Sequence, residues 1–332
     1  MLTGSLWKWH EEKGLNAFSS GEADQLSLAV KVICVGGLTD GLNACPWIFH
    51  LSAACQALGY NVIQPLLSSS YTGYGTGSLA RDTEEIITLI EHLVVNHSCQ
   101  HVVLVGHSTG CQNAIHFLHH APHSVRSRVV AVALQAPVSD QEAGEMEEHQ
   151  ADYLQHARQE VCAHGAEVCE HILMPLHMHY SPITVSRFMS LFERYGSDDM
   201  FSSYMTDAEL SARLNCFSIS PPPGTHTQTQ AQMQTQQTPL PHSSFPNRDA
   251  APPSPSCIPV LIAFSLADEY VPASVDKPQL VSRLATAMGP SAVPLLLEGA
   301  NHNLSAPASG EAIVRFVDTL VDMIKQHAVC IM

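Results

Sequence analysis

Three features of the sequence predict an α/β fold with a mostly parallel sheet and helices on both of its faces. Six short runs rich in Val, Ile and Leu recur along the chain. Segments with helical spacing of apolar residues lie between them. Hydrophobic residues make up 45% of the 332, enough to fill a sizeable core. Runs that stay apolar at successive positions suit strands buried on both sides, and strand–helix alternation implies right-handed crossovers that cover both sheet faces.

The strands are expected at 28–35 (LAVKVICV), 60–66 (YNVIQPL), 101–105 (HVVLV), 129–134 (VVAVAL), 258–264 (IPVLIAF) and 293–297 (VPLLL). Helices are expected at 47–58, 79–95, 110–120 and 309–327. In the second, Leu79, Ile86, Ile87, Ile90, Leu93 and Val94 keep 3–4 spacing, and Asp82, Glu84 and Glu85 sit near the N-terminus, where the macrodipole favours acids. Residues 140–216 break the rhythm. They lean towards helix with interruptions at Pro175 and Pro182, as an inserted helical cap would. Residues 217–257 hold nine of the 21 prolines with much Gln, Thr and Ser, and Arg248 and Asp249 are their only charges. Such a segment cannot bury enough apolar surface to offset the entropy of ordering, so a disordered surface insertion is expected. The chain therefore reads as a single domain over 1–332 that carries two insertions.

Charge and composition exclude several classes of function. Fifteen Lys and Arg against 31 Asp and Glu give a net charge of -16, which argues against nucleic acid and against a polybasic membrane anchor. The N-terminus lacks a signal peptide's apolar stretch, and no run reaches the roughly 20 apolar residues of a membrane span. Cys330 is third from the end, outside a prenylation box. The ten cysteines show no CxxC pair, as expected of reduced thiols in a cytoplasmic protein. Among the 20 histidines, His116, His119, His120 and His123, and His177 and His179, form clusters. No Cys or carboxylate recurs beside them at ligand spacing, so neither a metal nor another cofactor is expected.

The sharpest motif is Gly106-His107-Ser108-Thr109-Gly110, which follows the strand at 101–105 and precedes the helix at 110–120. In a nucleophile elbow a serine sits on a strained strand-to-helix turn, with small residues two positions either side so that strand and helix can approach. A serine hydroxyl needs a base, and the base an orienting acid. In this arrangement they follow in the order Ser, Asp or Glu, His, each beyond a strand's C-terminal end. His302 lies in EGANHNLS beyond the last strand. Asp268 lies in SLADEYVP beyond the strand before it and is favoured over its neighbour Glu269; Asp276 is further away. His107, inside the elbow, suits packing or the pocket wall. The oxyanion hole would take one backbone N–H from Thr109 and one from the loop Gly36-Gly37-Leu38-Thr39-Asp40-Gly41, with Leu38 first and Gly37 next. Gly37 and Asp40 are pocket candidates in that loop. The Gly-rich segment 68–78 lacks the Lys of a P-loop and reads as pocket wall, with Tyr71 and Tyr74 as substrate contacts.

Longer blocks carry a resemblance. GGLTDGL (36–42), QPLLSSSYTGYGTGSLARDTEE (64–85), LVGHSTGCQNAIHFL (104–118), LQAPVSDQEA (134–143), RFMSLFERYGSDDMFSSYMTDAEL (187–210), SLADEYVP (265–272) and EGANHNL (298–304) are similar to a DUF1749-type family of α/β-hydrolases. That family includes fungal siderophore-esterase-like proteins and plant and algal relatives. The resemblance covers nearly all of the chain outside its first 25 or so residues and the 217–257 insertion. It implies the α/β-hydrolase fold, a triad of Ser108, Asp268 and His302, and ester hydrolysis. The insertion and the His-rich helix after the elbow depart from the family pattern. The reaction expected is cleavage of a small-molecule carboxylic ester through an acyl-enzyme, without a cofactor. The alternatives are acyl transfer or thioester cleavage on the same nucleophile, and a non-catalytic binding or scaffold protein. Because the net negative charge lies outside the 217–257 insertion, a neutral or cationic ester is expected over a phosphate-rich one.

Overall fold

The computed structural model describes residues 2–21, 28–215 and 258–328, so the segment at 217–257 lies outside the described residues. Its centre is an eight-stranded sheet: β1 (Gly4–His10), β2 (Leu15–Ser20), β3 (Val30–Val35), β4 (Asn61–Pro65), β5 (His101–His107), β6 (Val129–Gln135), β7 (Val260–Ser265) and β8 (Ala292–Leu297). The spatial order is β1-β2-β4-β3-β5-β6-β7-β8. From β4 to β8 every pairing is parallel, whereas β1 pairs with β2 and β2 with β4 in antiparallel fashion. The six expected strands are the six parallel ones. The N-terminal hairpin was not foreseen, because β1 (GSLWKWH) is half exposed and carries little apolar patterning.

The helices are α1 (Trp47–Ala57), α2 (Leu79–Asn96), α3 (Thr109–His120), α4 (His123–Arg126), α5 (Asp140–Gly144), α6 (Gln150–His164), α7 (Val185–Phe192), α8 (Asp207–Leu214), α9 (Lys277–Met288) and α10 (Gly310–Ala328). Successive strand residues point to opposite faces. Ile33, Val102, Leu104, Val132, Leu134, Ile262 and Phe264 accordingly join one core with residues of α2, α3 and α9. Val32, Val103, Val105, Ala131, Ala133, Leu261 and Ala263 join a second core with residues of α1 and α10. This two-sided burial is the reason the central strands carry no polar alternation. Among the described residues no helix is long and apolar enough to cross a membrane.

The stretch between β6 and β7 packs in two parts. Leu154 and Ala157 of α6, Val185, Phe188 and Leu191 of α7, and Cys169, Met174 and Ile183 form a small third core. Leu210 and Leu214 of α8, with Met200, Phe201 and Met205, join the first core beside the sheet instead. The Gly-rich segment, wound into a 3-10 turn at Tyr71–Thr76, docks on the first of these parts. Tyr74 is buried in the third core, and Thr184 N–H donates to the Gly75 carbonyl at 2.8 Å. Arg187 of α7 forms a buried ion pair with Asp198, Nη1 to Oδ2 at 2.6 Å, and its Nε donates to the Tyr74 carbonyl at 3.2 Å. The pocket-forming loop and the inserted helices are thus tied by a backbone bond and by the buried guanidinium of Arg187.

Candidate active site

Ser108 stands between the last residue of β5 and the first of α3 with φ 52° and ψ −124°. A non-glycine residue at positive φ is strained, and such strain persists only where the surroundings enforce it. Here they do. Ser108 N–H donates to the Gln135 carbonyl at 3.0 Å, and its own carbonyl accepts from Cys111 N–H at 2.8 Å. A Cβ on Gly106 would stand 2.3 Å from the Gly110 carbonyl oxygen, and one on Gly110 would stand 2.3 Å from that of Val35. Strand, turn and helix pass so closely that only glycine fits at either position.

The loop after β3 closes on the serine from the other side. A Cβ on Gly37 would lie 2.7 Å from Ser108 Cβ. Gly37 N–H donates to Asp40 Oδ2 at 2.8 Å, so it is committed and does not serve as the second choice for an oxyanion donor. Leu38 N–H has no acceptor among the described residues. Thr109 N–H opens α3 and is one of the N–H groups a helix leaves unpaired.

Beyond β8, His302 is buried, and its Nδ1 lies 2.8 Å from Asp268 Oδ2. Asp268 is 3% exposed, and its other oxygen accepts Tyr270 N–H at 3.0 Å. Glu269, the competing acid, engages the backbone rather than the ring, accepting His302 N–H at 2.9 Å. Asp276 caps α9, accepting Gln279 N–H at 3.0 Å. Lys277 Nζ donates to the carbonyls of Leu266 and Asp268, at 3.0 and 2.9 Å, and so fixes the turn that carries the acid. The ring of Tyr270 meets His302 edge-on, with centroids 4.7 Å apart.

Two features were missed by sequence reasoning. Gln135, fully buried at the end of β6, ties the elements together. Its Oε1 accepts from Trp47 Nε1 at 3.1 Å and from His107 Nδ1 at 2.6 Å, while its Nε2 donates to the His302 carbonyl at 2.9 Å. His107 and His302 rings are consequently 5.0 Å apart. Burial and the neighbouring His302 lower His107 to about 3, so its ring is neutral. A polar residue ending an apolar strand was the only signal for Gln135. The second feature is Asp140, at the start of α5. Burial and the charge of Asp198 raise it to about 7, against the opposing pull of Arg187 and His302.

A cavity of about 40 Å³ flanks the elbow, walled by Gly37, Leu38, Asp40, His107, Thr109 and Tyr74. Tyr71 does not line it. It is half exposed at φ 56°, its N–H donates to the Asp40 carbonyl at 3.1 Å, and its ring lies against the backbone of Gly41, where a glycine leaves room. Ligand-type atoms of Asp40, Cys45 and His107 lie within 4.8 Å of one another on the same wall. Burial holds the Cys45 thiol well above its ordinary value and raises Asp40, so a metal there would first have to displace the thiol proton. The histidines of α3 are spent elsewhere: His116 and His120 stack on each other with centroids 3.9 Å apart, and His119 Nε2 pairs with the Arg213 carbonyl at 3.0 Å.

Comparison with known proteins bears on the family and the fold. Residues 3–325 match the family described as "Protein of unknown function (DUF1749)". A UPF0613 protein of Schizosaccharomyces pombe is 26% identical over 307 residues, covering 89% of this chain and 87% of the relative. The fusarinine C esterase sidJ of Aspergillus fumigatus is 28% identical over 302 residues, covering 77% of this chain and 75% of the esterase. Among solved structures, the siderophore hydrolase EstB from Aspergillus fumigatus superposes with a TM-score of 0.67 at 23% identity, covering 98% of both chains. An α/β-hydrolase fold protein of unknown function gives 0.61 at 16% identity, covering 99% of this chain and 98% of the other. The chain has the α/β-hydrolase fold and belongs to the DUF1749 family.

Proposed function

We propose that this protein is a serine hydrolase of carboxylic esters. The observation that carries this reading is the Asp268–His302 hydrogen bond of 2.8 Å, made beyond adjacent strand ends, together with the strained turn at Ser108. In this mechanism Ser108 Oγ attacks the ester carbonyl and His302 takes its proton at Nε2. Asp268 holds Nδ1–H, fixing the tautomer and stabilising the imidazolium. The N–H groups of Leu38 and Thr109 receive the oxyanion, each worth roughly 3–4 kcal/mol in the transition state. His302 then protonates the leaving alcohol, and water releases the acid from the acyl-enzyme. No step requires a cofactor. The cap of 140–216, whose helices α6 and α7 pack on the Gly-rich loop at Tyr74, acts as the lid of the substrate pocket.

The esterase and hydrolase names of the relatives support ester cleavage. A reducing, cytoplasmic setting is part of this reading, on the scatter of the cysteines without CxxC pairs in the sequence. The test is turnover of esters of graded acyl length, fusarinine C included, by the wild type and by Ser108→Ala. The wild type should hydrolyse part of the panel, and the variant should lose roughly 10⁴-fold or more in kcat. Comparable turnover by both would remove Ser108 from the mechanism.

A further inference from the structure

The cavity beside the elbow is also lined by Asp82 of α2 and Asn113 of α3. Both residues are more than nine-tenths buried, at 3% and 5% exposed. Asp82 Oδ1 and Asn113 Oδ1 have no hydrogen-bond partner among the described residues. Acceptors buried without donors are costly, and proteins rarely keep them where nothing supplies the missing hydrogen. Here two of them line one small space, together with the buried hydroxyl of Tyr74.

The charges on the wall narrow what the donor should be. The carboxylates of Asp40 and Asp82 line the cavity. Among its described lining residues Arg187 is the one cation, paired with Asp198; with Arg81 it also acts on the Asp82 carboxyl, which takes a hydrogen bond from Ser69 as well. A hydrogen-rich group would satisfy both orphan acceptors, and a positive one would suit the Asp40 and Asp82 carboxylates beside it. A volume of about 40 Å³ admits only a few heavy atoms. Leu38, His107 and Thr109 wall the same cavity, so it lies beside the place where a carbonyl at Ser108 would be held.

We propose that this cavity is a subsite for a primary ammonium group on the acyl portion of the substrate, held by Asp82 and Asn113. The assignment rests on Ser108 being the nucleophile of an ester hydrolase. A neutral hydroxyl has one hydrogen to donate and would satisfy one acceptor, whereas an ammonium has three, so the ammonium is the better occupant.

The experiment compares p-nitrophenyl 3-aminopropanoate with its methyl-ended isostere, p-nitrophenyl butanoate, and with the 3-hydroxypropanoate. Wild-type kcat/KM should favour the ammonium ester over the isostere by roughly tenfold or more. That ratio should fall towards one in Asp82→Asn and in Asn113→Leu. The ratio is internal to each variant, so partial loss of folded protein does not disturb it. No preference in the wild type, an equal preference for the hydroxyl ester, or a ratio kept in both variants would overturn the subsite. A binding arm separates this from the hydrolase reading. Calorimetry of Ser108→Ala with ethyl 3-aminopropanoate and ethyl butanoate should show the same selectivity. Selective binding without any wild-type turnover would contradict the hydrolase and keep the subsite, whereas turnover without selective binding would do the reverse.

Discussion

Asp268 and His302 are joined through their side chains, Oδ2 to Nδ1 at 2.8 Å, while the adjacent Glu269 reaches only the backbone N–H of the same histidine. Two neighbouring acids thus hold one residue in different ways. The first sets the tautomer and orientation of the ring, and the second sets the path of the loop.

The two acids should therefore differ sharply on substitution. Asp268→Asn should lower kcat by roughly 10³–10⁴-fold, since an amide at that position favours the wrong tautomer. Glu269→Ala removes one backbone hydrogen bond and should cost no more than about tenfold. Steady-state kinetics on one activated ester would measure both, and a larger loss at Glu269 would reverse the roles.

Gly37 should prove sensitive to a single methyl group. A Cβ there would meet Ser108 Cβ at 2.7 Å and the His107 carbonyl at 3.3 Å. Gly37→Ala displaces either the serine or the loop carrying Leu38. A displacement of about 1 Å in such a site costs on the order of 10² in rate. The circular dichroism spectrum should stay that of the wild type while kcat/KM falls. Unchanged kinetics would show that the loop yields freely.

Much of this architecture was legible beforehand because its causes are local. The six parallel strands announce themselves as apolar runs, since both faces are covered, and Gly106 and Gly110 mark a crossing too tight for any side chain. The N-terminal hairpin was not legible, because its strands are short and β1 is half exposed, and its pairing to β4 is set by distant sequence. Position after the strand favoured Asp268 over Glu269 and set Asp276 further away, but adjacent carboxylates in one turn leave the choice to the folded chain. Which carboxylate meets the imidazole depends on a turn fixed by Lys277 and on how β7 and β8 register. Gln135 and Asp140 escaped notice because their significance arises only from elements far apart in the chain.

Gln135 should behave as a positioning residue. Replacing it with Leu leaves Trp47 Nε1–H, the His107 ring and the His302 carbonyl without their present partners. Each buried polar group left unmatched costs roughly 1–3 kcal/mol, so thermal stability should drop clearly. Gln135→Glu, which preserves the acceptor, should recover part of the Tm. If both variants melt with the wild type, the hub has no structural weight.

Asp140 should leave a mark on the pH dependence of stability. Its value is raised from the ordinary carboxylate range to about 7. Between roughly pH 4 and 7 the folded state keeps a proton that the unfolded state has released. This contribution is therefore fully present below pH 4 and is lost as pH rises through 7. Asp140→Asn, neutral throughout, should lose less stability than the wild type over that window. By pH 8 it should melt at the higher temperature, by about 2 °C for each kcal/mol recovered. Parallel Tm profiles from pH 5 to 8 would contradict a native-state proton on Asp140.

The role of Ser108 is tested most directly by covalent labelling. A fluorophosphonate probe needs an activated serine but no knowledge of the substrate. The wild type should gain one adduct per chain on the peptide that contains Ser108, labelling of His302→Ala should be slower by orders of magnitude, and Ser108→Ala should take up no adduct. Equal labelling of the wild type and Ser108→Ala, or an adduct mapped to another residue, would contradict the mechanism.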